Sequence, residues 1–156
     1  MKTIRLHLTG FITLLVLSGI TAFPLIAEID FLYAHRAIFS ITLTHWIDQL
    51  YNDIHQTPTV MLYGTDWLAF AHIVIGLFFI PVYYNPLQYR ANMLVGMAAC
   101  LLIFPLAFIC GPIRNIPFFH QLIDCSFGVL GFLYLYYILK KINRLKNNVY
   151  ETPNKK

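Results

Sequence analysis

The chain has 156 residues, of which 58% are hydrophobic and only 12% charged, against roughly a quarter charged in soluble domains; its mean hydropathy is +0.64. These values exclude an ordinary soluble enzyme, and the length leaves no room for a soluble domain beside a small membrane bundle. The net charge of +4 is not a nucleic-acid signal: Lys140, Lys141, Arg144, Lys146, Lys155 and Lys156 follow the last apolar stretch, and Lys2 and Arg5 precede the first, as in cytoplasmic flanks of membrane helices.

Four apolar stretches, at about 8–27, 67–84, 91–110 and 117–139, carry almost no charge. At about 1.5 Å rise per residue each reaches roughly 27–34 Å, enough to cross a bilayer. The expected fold is all-α: a polytopic four-transmembrane-helix bundle over 1–139, followed by a basic cytoplasmic tail over 140–156. The first stretch also has the outline of a signal peptide, but Ile20 and Leu25 spoil the small-x-small pattern before Ala22 and Ala27, so it is expected to stay as an anchor. Pro24 should bend or end that helix near its exit.

The following segment holds Glu28, Asp30, Asp48, Asp53 and Asp66 against the single base Arg36, which places it outside and both termini in the cytoplasm. Arg114, in a short outer turn, opposes that rule alone. Within the segment Phe39, Leu43, Trp46, Ile47 and Leu50 recur at three- and four-residue intervals, with Ser40, Thr44, Asp48 and Asn52 opposite, which predicts an amphipathic extracytoplasmic helix over about 38–52. Thr57-Pro58 predicts a break, and Tyr63-Gly64-Thr65-Asp66-Trp67 a turn with Asp66 as N-cap of the second span. Pro81 and Pro105 should kink their helices, while Gly96, Gly128 and Gly131 permit close helix approach.

Polar groups inside such helices are costly and point to function. His72 lies near the outer end of the second span, His120 and Asp124 share one face of the fourth, and Arg114 stands in the Pro112–Pro117 loop just before it. A carboxylate four residues from an imidazole can orient it and raise its basicity. Arg114 can pair with Asp124 or receive an anionic headgroup. The bland alternative is a polar clasp that ties the loop to the bundle. As metal ligands His72, His120 and Asp124 make a weaker case, since no H-x-x-x-H spacing fixes a geometry. Cys100, Cys110 and Cys125 form no CxxC pair and are expected as free thiols, and the residues leave the identity of any cofactor open.

The stretches Tyr63-Gly64-Thr65-Asp66-Trp67-Leu68-Ala69-Phe70-Ala71-His72, Gly111-Pro112-Ile113-Arg114-Asn115-Ile116-Pro117 and Leu122-Ile123-Asp124-Cys125-Ser126-Phe127-Gly128, with Leu17-Ser18-Gly19-Ile20-Thr21-Ala22-Phe23-Pro24, resemble a group of small, uncharacterised bacterial inner-membrane proteins. The resemblance covers most of the chain up to the tail; it implies a bacterial inner-membrane location and transfers no activity. The residues themselves favour a binding protein or accessory subunit whose outward pocket, lined by His72, Arg114, His120 and Asp124, takes a lipid headgroup, quinone or similar amphiphile. One alternative is an enzyme on a lipid-like substrate with His120 as general base and Asp124 fixing its tautomer; another is an assembly subunit without a ligand. Expected partners are membrane lipids and another membrane protein or a second copy, with no nucleic acid.

Overall fold

The computed structural model describes residues 1–151, with side chains as far as Asn147; Lys155 and Lys156 of the basic tail lie outside the described residues. The chain is all-α: α1 (Lys2–Ala22), α2 (Leu25–Ala34), α3 (Ile41–Gln56), α4 (Thr59–Leu77), α5 (Ile80–Tyr84), α6 (Arg90–Pro105), α7 (Gly111–Ile113) and α8 (Phe118–Glu151). Four helical stretches, Lys2–Ala22, Thr59–Tyr84, Arg90–Ile113 and Phe118–Asn147, are long and apolar enough to cross a membrane. Their apolar side chains face outward, as with Leu101, Leu102 and Phe127. Only 11% of the most apolar window of the third stretch is buried. A surface that apolar suits acyl chains rather than water. The architecture is consistent with a polytopic membrane helix bundle.

The chain forms two compact units, residues 1–12 with the chain from Phe78 onward, and Thr13–Leu77. In the second, the apolar run expected to span 8–27 is two helices. Pro24 has no N–H to return to Ile20, whose carbonyl instead accepts from Phe23 N at 3.4 Å, so α1 stops at Ala22 and α2 begins after the turn. The amphipathic helix appears as α3, at Ile41–Gln56, with Trp46 and Ile47 buried. It packs on α2 through stacked Tyr33 and Tyr51 rings at 3.9 Å and a His55–Asp30 contact at 3.3 Å, and Arg36, in the turn after α2, pairs with its Asp48 at 2.9 Å.

The break at Thr57-Pro58 is present, but the turn expected at Tyr63–Trp67 is helix, because α4 runs from Thr59 to Leu77. One glycine in a helix costs about 1 kcal/mol. Unpaired backbone groups in hydrocarbon cost several, so the helix continues through Gly64. Asp66 is therefore an interior helical residue and not an N-cap.

In the other unit the kink expected at Pro81 is an interruption at Phe78–Phe79, with Pro81 in the first turn of α5. The Asn92 side-chain amide donates to the Phe78 carbonyl at 2.8 Å and satisfies one group of the broken stretch. Helices α6 and α8 pack antiparallel: Gly96 meets Leu135, and Gly128 meets the Cys100 carbonyl so closely that a Cβ there would stand 2.7 Å from it. Leu8, Val82, Met93, Leu135, Ile138 and Ile142 are fully buried and form the core of this unit. Helix α8 carries Lys140, Lys141, Arg144 and Lys146 within its own continuous length.

Candidate functional site

The site begins with Pro105. It lies at the end of α6, and the next five residues, Leu106–Cys110, wind as a π turn, a local widening frequent at functional sites. Helix α7 then closes after one turn. Asn115 adopts φ 57°, its N–H reaches the Pro112 carbonyl at 3.1 Å, and the Ile116 N–H reaches the Gly111 carbonyl at 2.9 Å. These are the two bonds of a Schellman ending, with asparagine in the left-handed position that glycine more often fills. Pro117 follows and α8 starts at Phe118.

What holds this loop to α8 is Gln121. Its Nε2 donates to the Ile116 carbonyl at 2.8 Å, and the side chain is 4% exposed, the only buried polar residue among those described. Gly111 makes room for it, since a Cβ there would lie 2.6 Å from the Gln121 Cδ. The polar clasp anticipated from the sequence exists, but it is built from Gln121 and not from Arg114 and Asp124. The signal for it in the sequence is an amide beside His120, one loop away from the Gly111-Pro112 pair and less conspicuous than its charged neighbours.

Arg114 and Asp124 instead border one cavity of about 210 Å³, together with Gln121 and the apolar Leu106, Ala107 and Ile116. They form no salt bridge with each other; the carboxylate of Asp124 has its ion-pair contact with His120, Nε2 to Oδ1 at 3.9 Å. That distance exceeds hydrogen-bond range, and both side chains keep substantial exposure, 38% and 47%. The four-residue spacing does bring His120 and Asp124 to one face, in proximity rather than in a bonded dyad.

His72 belongs to the unit Thr13–Leu77. It is half-buried in α4, and its Nδ1 lies 2.9 Å from the Leu68 carbonyl of its own helix. A carbonyl only accepts, so Nδ1 carries the proton in that contact. The backbone of Gly19 packs beside it, where a Cβ would stand 3.2 Å from the His72 Cβ. Of the sequence-predicted residues, Arg114 and Asp124 border one cavity and His120 stands beside Asp124, while His72 belongs to the other unit, Thr13–Leu77. Among the described residues no three His, Cys, Asp or Glu side chains stand together as metal ligands. Cys100, Cys110 and Cys125 are free thiols.

Two further polar groupings escaped the sequence reading. In the unit Thr13–Leu77, a cavity of about 440 Å³ is bordered by Pro24, Asp30, Thr65 and Asp66; its Asp30 is already engaged by His55. At the basic end of α8, His7 Nδ1 lies 3.3 Å from the Tyr134 hydroxyl, which donates to the His7 carbonyl at 3.3 Å. Lys141 Nζ approaches His7 Nε2 at 3.5 Å and sits 4.5 Å over the Tyr137 ring.

Comparison of the chain with family models, with curated proteins and with solved structures finds no match.

Proposed function

We propose that this membrane-associated helical protein is a small binding protein or accessory subunit of a bacterial inner membrane, and that the cavity beside α7 and α8 receives the headgroup of a membrane lipid. One observation carries the proposal: Arg114 and Asp124 border the same cavity without pairing, while Gln121 does the work of holding the loop. Charged residues within a membrane protein that do not neutralise each other are costly and point to a ligand or pathway. The basic flanks at Lys2, Arg5, Lys140, Lys141 and Arg144 support cytoplasmic termini, which would set the cavity at the outer leaflet.

Size favours a headgroup over a whole quinone. At about 210 Å³ the cavity is smaller than the roughly 300–1,000 Å³ of sites that enclose a drug-sized ligand. It fits a polar head whose tails stay in the bilayer. The enzyme alternative is less favoured on this geometry, because His120 and Asp124 stand 3.9 Å apart against about 2.6–3.2 Å for a working pair.

Native mass spectrometry of gently purified protein tests the proposal. Wild type should retain phospholipid in a fixed ratio, and Arg114→Gln should release it while remaining folded. Equal retention by both proteins would remove the site.

A further inference from the structure

The cavity presents one cation and one anion, and their arrangement restricts the ligand beyond its class. A purely anionic headgroup seated on Arg114 would lie beside the Asp124 carboxylate and be repelled by it; a purely cationic one would meet Arg114 in the same way. Resting on the headgroup reading above, we infer that the cavity recognises a zwitterionic phospholipid headgroup with a primary ammonium, its phosphate on Arg114 and its ammonium on Asp124.

The walls separate ammonium from choline. A quaternary ammonium has no N–H to donate and is bound through the faces of aromatic rings. No aromatic side chain borders this cavity. A primary ammonium offers three donors to a carboxylate, and Asp124 supplies acceptors at a half-buried position. The guanidinium of Arg114 matches the phosphate, which it can engage with two parallel N–H donors. Leu106 and Ile113, both strongly exposed, flank the region and offer apolar surface along which acyl chains can run. The two charges are thus placed for a headgroup that carries both signs, with the tails outside.

Delipidated full-length protein in neutral detergent, titrated with phosphatidylethanolamine, phosphatidylcholine or phosphatidylglycerol and followed by native mass spectrometry, tests the inference. Wild type should hold phosphatidylethanolamine about ten-fold more tightly than either other lipid, the size of one charge-assisted hydrogen bond. Asp124→Asn should abolish the preference over phosphatidylcholine and improve phosphatidylglycerol binding, and Asp124→Glu should restore the original order. Circular dichroism and gel filtration on the same samples confirm that each variant is folded. Equal binding of all three lipids by wild type, or an unchanged preference in Asp124→Asn, overturns the inference and leaves the headgroup reading intact so long as Arg114→Gln still releases lipid. If Arg114→Gln changes the binding of none of them, the cavity reading itself fails. Competition by soluble glycerophosphoethanolamine at comparable concentration would support the same chemistry with a free metabolite as its source.

Discussion

The two ends of α8 handle polar groups in opposite ways. At the basic end His7, Tyr134 and Lys141 use one another. Tyr134 donates to the His7 carbonyl, which leaves the His7 Nδ1 proton for the phenolic oxygen and the Nε2 lone pair for Lys141. Every one of these groups has a partner, so the cluster is complete as a structural joint between α1 and α8. At the Phe118 end the joint is also complete, but it is made by Gln121 and Gly111 alone. Arg114 and Asp124 stand at the same cavity and leave each other unpaired. In an apolar helix a polar residue is therefore no sign of function by itself. What matters is whether its neighbours already satisfy it.

Substitutions can break this comparison. The largest effect should come from Gln121→Leu, which removes the donor to the Ile116 carbonyl and leaves that acceptor without its partner. The expected loss is about 1–3 kcal/mol, read as a lower unfolding temperature in detergent together with faster proteolysis of the 111–117 loop. Next comes His7→Ala. It deletes the centre of the paired end, and because its two side-chain contacts are long, at 3.3 and 3.5 Å, the net loss should be about 0.5–1.5 kcal/mol in all, measured by the same thermal assay with lipid binding at the other end unchanged.

The smallest stability effect belongs to Arg114→Gln and Asp124→Asn, within about 0.5 kcal/mol of wild type, although these are the variants expected to disturb ligand binding. A stability loss from Asp124→Asn as large as that of Gln121→Leu would erase the distinction and return Asp124 to the role of a clasp.

The sequence made part of this visible. The spacing of Phe39, Leu43, Trp46 and Ile47 announced α3, because an amphipathic helix at an interface obeys the same periodicity as one in water. Pro105 marked a disturbance correctly but could not say that it would take the form of a π turn. The segment around Gly64 misled for a physical reason: Gly, Thr and Asp favour turns where water can take up the freed backbone groups, and α4 continues through them. At the site, charge drew attention to Arg114, His120 and Asp124, and their spacing along the chain predicted their nearness. Whether Arg114 and Asp124 bond to each other or share a space depends on the path of the 111–117 loop, which is set by the Asn115 conformation and by Gln121. No pattern along the chain encodes that choice.

The π turn at Leu106–Cys110 has a genetic consequence. Such a turn is what a helix acquires when one surplus residue is accommodated without ending it. Deleting a single codon within it, for instance that of Phe108, would let the segment rewind as ordinary helix. A π turn uses one residue more than an α turn to cover about the same rotation, so the guanidinium of Arg114 would keep its direction about the axis and stay on the side of the cavity. An in-frame loss of three nucleotides is thus tolerated here, whereas the same loss from the regular helix α6 would turn everything after it by about 100°.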